Sequence, residues 1–159
     1  MPPLATIGAA LPILQRLPAA FRNSYVNRLI SNILSSSGFG ALKYVKKFGI
    51  DSYSGLNSLL QGLKINKTEL GIQVHHLIEK RFLEQMKVIL GNNTSSWSSV
   101  VLTRAEHQAF TNAWRQRIGY GTTPGTTGFH TGNATPELIR EVARDIYRNY
   151  PEILRILGL

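Results

Sequence analysis

Two short apolar runs, Ile72–Leu77 and Ser98–Leu102, are the stretches of this 159-residue chain that read as strands. Both are too short for ordinary helices, and most of the sequence around them repeats its apolar residues at helical spacing. The expected fold class is therefore α+β and mostly helical, with one small hairpin in the middle. The first run carries His75 and His76 side by side. In an extended segment neighbouring side chains point to opposite faces. One imidazole can then hold a metal while the next faces a substrate.

The flanking segments divide by their punctuation. Residues 1–20 hold Pro2, Pro3, Pro12 and Pro18 among Ala and Leu, which reads as a linker or an interrupted helix. The mildly apolar start lacks a basic leader and makes a poor signal peptide. Tyr25, Leu29, Ile33 and Leu34 predict a helix over 21–36, and Gly38 and Gly40 end it. A short helix is expected from Ala41 to Phe48. Turn chemistry follows from Asp51, with Asp51 or Ser54 capping a helix over Leu56–Leu63.

After the first strand, Phe82, Met86 and Ile89 predict one apolar face of a helix over Glu79–Leu90, with Gly91–Ser96 as a loop. Thr103 and Glu106 match a capping box, opening a helix that runs to about Ile118 with His107 in its first full turn. Gly119–Gly132 holds five glycines and reads as a mobile loop. Thr135 followed by Pro136 marks the start of the last long helix. Its core stripe is Ile139, Val142, Ala143, Ile146 and Tyr147. Arg140, Arg144 and Arg148 form an outward, solvated stripe. Tyr150 and Pro151 should end that helix, leaving a short apolar tail.

Composition narrows the partners. Eighteen Lys and Arg against nine Asp and Glu give a net charge of +9, which favours nucleic acid or another anionic surface. The absence of cysteine excludes disulfides and thiolate metal sites. No apolar run reaches the ~20 residues of a membrane span.

A strand with two histidines, a loop, a second strand and a helix with His107 near its start together form a ββα-metal pattern. A divalent ion on His75 and His107 would bind a scissile phosphate and stabilise the leaving oxygen. His76, facing the other way, would take a proton from the attacking water. Zinc, nickel or cobalt suits an imidazole-rich site, whereas magnesium prefers oxygen ligands. Lys80, Arg81 and Arg104 are the expected phosphate contacts. His130 reads as idle, Glu79 as opening the next helix, Glu106 as a cap, and Trp97, Phe110 and Trp114 as core.

The pieces Gly49–Leu56, Val74–Phe82, Leu102–Arg115 and Ile146–Glu152 are carried by a chain that, over roughly its last two thirds, resembles the His-Me finger (HNH and endonuclease VII-like) nuclease domains of bacterial polymorphic toxins. The resemblance implies a nuclease domain over 41–159, its ββα-metal core at about 71–118, and residues 1–40 as a linker or helical support. It implies His75 and His107 as metal ligands and His76 as general base. The metal would be Mg, Mn, Ni or Zn. The resemblance further implies a larger secreted carrier, delivery by a bacterial secretion system into the cytoplasm of a target cell, and a cognate immunity protein of acidic character. Where the family tethers the base-bearing loop with an Asn, this chain has Ser98 and Ser99, with Asn92 and Asn93 further back. Where some members carry a second helix histidine, it has Thr111 beside Asn112. The expected target is DNA; a ribonuclease toxin and a non-catalytic basic nucleic-acid-binding module are the alternatives.

Overall fold

The computed structural model describes residues 42–159, so the expected linker over 1–20 and helix over 21–36 lie outside the described residues. A short helix α1 (Val45–Phe48) leads into β1 (Asp51–Ser52), α2 (Tyr53–Gly62) and α3 (Lys67–Leu70). Then come β2 (Ile72–His76), a single 3₁₀ turn at Lys80–Phe82, and α4 (Leu83–Leu90). A second 3₁₀ turn at Thr94–Ser96 precedes β3 (Ser98–Thr103) and α5 (Arg104–Arg117). The strands β4 (Ile118–Gly119) and β5 (Phe129–His130) flank a loop, and α6 (Pro136–Ile146) and α7 (Pro151–Leu157) complete the chain. The class is α+β with helices in the majority.

The antiparallel sheet has the order β1-β3-β2. Strand β3 is central, and a core packs on each of its faces, so it reads as the unbroken apolar run Val100, Val101, Leu102. Val100 and Leu102 join the larger core with Phe82, Trp114 and Tyr147. Val101 joins the smaller one, with Leu56, Leu59 and Leu60 of α2. In the β2–β3 register His75 stands opposite Val100 and His76 opposite Ser99. The strand alternation therefore sends His75 toward α5 and His76 toward α2.

Helix boundaries follow local chemistry. The expected capping box is present: Glu106 N–H donates to Thr103 Oγ1 at 3.2 Å and Thr103 N–H to Glu106 Oε1 at 2.9 Å. Thr135 caps α6, with Pro136 in its first turn. Trp97, Phe110 and Trp114 are core, as expected. No described helix is long and apolar enough to cross a membrane.

Five expectations change. The cap of α2 is Ser52, whose side chain accepts from Gly55 N–H, and residues 51–52 pair with Ser99 and Ser98 as a strand instead of forming a turn. The Glu79–Leu90 helix opens as a 3₁₀ turn, and α4 itself begins at Leu83. Ile89 is 53% exposed; Leu90, at four-residue spacing from Met86, is the residue packed on the core. Pro151 does not leave a bare tail, because proline fits the first helical turn and α7 begins on it.

The fifth change is the Gly/Thr loop, which is folded. Ile118 pairs with Phe129 and Gly119 with His130 in parallel. Thr126 N–H donates to Gln116 O at 2.8 Å and Gly125 N–H to Phe129 O at 2.9 Å. A Cβ on Gly119 would lie 1.8 Å from Thr123 O, and one on Gly125 2.4 Å from Arg117 O. These glycines allow close backbone packing, so a composition that reads as a mobile segment here belongs to a hydrogen-bonded loop.

A histidine cleft at the free edge of the sheet

Because β2 is an edge strand, the groups on its two faces meet where no further strand among the described residues covers them. A cleft of about 350 Å³ opens there, lined by His75, His76, Lys80, Arg81, His107 and Tyr120, among others. The structure thus gathers five of the six expected site residues. The sixth, Arg104, lies in an adjoining cleft.

His75 is 5% exposed, and its Nε2 has no hydrogen-bond partner among the described residues. Its ring lies edge-on to His107 at a centroid distance of 5.0 Å and packs on Phe110 at 6.1 Å. Burial, helped by the neighbouring His107 and His76, pushes its pKa down to about 3. Burial also lowers the pKa of His107, against the pull of Glu79. A histidine that is neutral at pH 7 keeps a lone pair on one of its two ring nitrogens. Thr111 lines the same cleft. No group of three or more His, Asp or Glu placed to hold a metal occurs among the described residues. The two imidazoles that come together there are His75 and His107.

His76 sits in a different setting. Its ring stacks on Tyr53 at 4.3 Å and 8°, and its Nε2 lies 2.9 Å from Thr94 O. A carbonyl only accepts, so Nε2 carries the proton and Nδ1 the lone pair. Burial lowers the His76 pKa; the Thr94 carbonyl raises it, and Lys80 lowers it further. The Thr94 carbonyl is aimed by the 3₁₀ turn that Asn93 caps, its Oδ1 accepting from Ser95 N–H at 3.0 Å. Ser99, at the register expected to hold the loop, is buried and donates to Trp97 O at 3.1 Å. Asn93 shapes the loop from five residues before β3.

Arg81 forms one wall and is committed to the fold. Nε donates to Glu79 at 2.8 Å, Nη1 to Gly119 O at 2.9 Å and Thr131 Oγ1 at 2.7 Å, and Nη2 to Ile118 O at 2.8 Å. Its guanidinium therefore ties the loop after α5 to the segment after β2, where a phosphate contact was expected. Glu79 opens the turn that follows it, as expected, but its side chain makes no cap bond there; it takes the Arg81 bond and a 3.2 Å bond from Tyr120 OH. Arg81 and Arg115 both lie over the Tyr120 ring, at 4.2 and 4.6 Å. Lys80 and Arg104 are exposed. His130 accepts from Gly132 N–H at 3.1 Å and takes no part in the cleft lining.

Tyr53, Thr94 and Tyr120 were not singled out in the sequence. Tyr53 had a signal, since it lies within the piece Gly49–Leu56 that the family resemblance rests on. Thr94 contributes a backbone carbonyl, which no side-chain motif can reveal. Tyr147, buried at the centre, donates to Leu77 O at 2.6 Å and fixes the end of the histidine strand to α6. No family model, curated protein or solved structure matches the chain.

Proposed function

We propose that this chain is a metal-dependent endonuclease domain of the ββα-metal (His-Me finger) type, hydrolysing phosphodiesters in DNA. The observation that carries this reading is the division of labour between adjacent histidines. His75 offers an unspent nitrogen beside His107, while His76 is oriented by a carbonyl through its other nitrogen. The orphaned Nε2 of His75 fits a soft-to-borderline divalent ion, with His107 as the second imidazole. Such an ion supplies Lewis-acid stabilisation of charge on the phosphate and the leaving oxygen.

The residues of the chain do the remainder. His76 Nδ1 takes the proton of a water as that water's oxygen bonds to phosphorus and the P–O bond to the leaving group breaks. Tyr53 and the Thr94 carbonyl hold the ring in place. Lys80, exposed at the cleft, attracts the phosphate. The net charge of +9 suits the polyanion. In this reading the domain is a toxin module carried by a larger secreted protein. It would act in the cytoplasm of a competing bacterium and be held in check by an acidic immunity protein.

The test is nicking of supercoiled plasmid in EDTA, and after addition of Mg²⁺, Mn²⁺, Ni²⁺ or Zn²⁺. Ion-dependent nicking is expected, with His76→Ala lowering it by about 10²–10⁴-fold while DNA binding and folding persist. Full activity in His76→Ala would overturn the mechanism. Cleavage confined to RNA would move the target.

A further inference from the structure

Beside the histidine cleft lies a second one of about 300 Å³, lined by Lys67, Thr68, Gln73 and Arg104. The two share Tyr53 and Val74 as a common wall, so together they make one groove along the outer edge of β2. Its charge is one-sided. Lys67, Lys80 and Arg104 make no ion pair among the described residues. The carboxylate at the first cleft, Glu79, is taken by Arg81 and Tyr120, and no Asp or Glu lines the second. Lys67 Nζ donates to Asn57 Oδ1 at 2.8 Å, which leaves two of its N–H groups free.

We infer that the second cleft is a subsite for a phosphate next to the one attacked, held by Lys67 and Arg104 with hydrogen bonds from Gln73 and Thr68. The substrate is then a polynucleotide whose backbone runs along the edge of β2, not an isolated phosphodiester. Tyr53 divides the two positions: its ring supports His76 on one side and walls the subsite on the other. The assignment of the attacked phosphate to the first cleft rests on the proposed function. The cationic subsite can be tested without it.

The experiment measures binding of a labelled DNA duplex, and of RNA of the same sequence, to the His76→Ala chain over a salt series. Lys67→Gln with Arg104→Gln, added to that background, should lower the slope of log K against log salt by about two and weaken binding roughly tenfold or more. Gln73→Glu, which places a negative charge in the subsite without touching the core, should weaken binding as well. Arg144→Ala with Arg148→Ala, exposed cations of α6 and its end, serves as the control and should leave most of the slope in place. A slope unchanged by the Lys67/Arg104 pair, or lowered no more than by the control pair, overturns the subsite. A lowered slope in a protein that never nicks DNA or RNA keeps the subsite and removes the hydrolase. Nicking with an unchanged slope does the reverse.

Discussion

The two faces of β2 treat the same side chain in opposite ways. On the α5 face His75 is buried, packed against Phe110 and His107, and its Nε2 has no partner among the described residues. On the α2 face His76 is half-buried, stacked on Tyr53 and hydrogen-bonded to a backbone carbonyl. One position of strand register separates a buried ring whose Nε2 has no partner among the described residues from a ring held by a backbone carbonyl. What an imidazole can do is set by the partner of its other nitrogen and by its access to water, more than by its place in a motif.

The contrast can be broken most strongly with acid. The unfolded chain protonates His75 near its ordinary pKa of 6.5, but the folded one resists until about 3. Between those values the unfolded state binds more protons, so stability is intact above 6.5 and is lost as the pH falls toward 3. Metal-free protein should be roughly 2–3 kcal/mol less stable to urea at pH 4.5 than at pH 7 from this group alone. His75→Phe, which suits the apolar surroundings, should flatten that dependence. Equal slopes in the two proteins would sink the idea.

A sharper test separates the faces. Tyr53→Leu removes the ring under His76 and should lower cleavage by roughly fivefold, the scale of one lost aromatic contact of about 1 kcal/mol. Its acidic limb should move up toward the ordinary histidine value, since less burial lets the base protonate earlier. Calorimetric Ni²⁺ or Zn²⁺ binding through His75 and His107 should stay unchanged. If metal affinity falls with cleavage, the two faces are one unit.

The smallest effect concerns the helix that brings His107 to the site. Thr103→Ala removes one side of the capping box and should cost about 1 kcal/mol in a denaturant titration. Cleavage by the remaining folded protein should persist, because the cap sets the helix start without touching the chemistry. A loss of activity without a loss of stability would show that the first turn of α5 positions His107.

Local chemistry made much of the fold readable. Thr103, Glu106, Thr135 and Pro136 announce their helices because caps act over three residues. The expected site residues other than Arg104 meet in one cleft, because a strand followed by a capped helix leaves few ways to place them. Arg81 could not be read: a guanidinium five residues after His76 looks the same in sequence whether its partner is a phosphate or the carbonyls of Ile118 and Gly119. The Gly119–Gly132 loop failed for a related reason. Its glycines permit either motion or close packing, and the contacts that select packing come from Arg81 in a distant part of the sequence.

By itself the sequence determined the mostly helical class, the central hairpin, the capped helix carrying His107 and the opposed directions of His75 and His76. Each of these follows from periodicity or from interactions only a few residues long. The tertiary structure alone decided that β2 is the edge of the sheet, that Thr94 orients His76, and that Arg81 serves the fold. It also decided that Lys67 stands beside Arg104. Those outcomes depend on which distant segments pack together, and packing is settled by the burial of the whole core and not by any local run of residues.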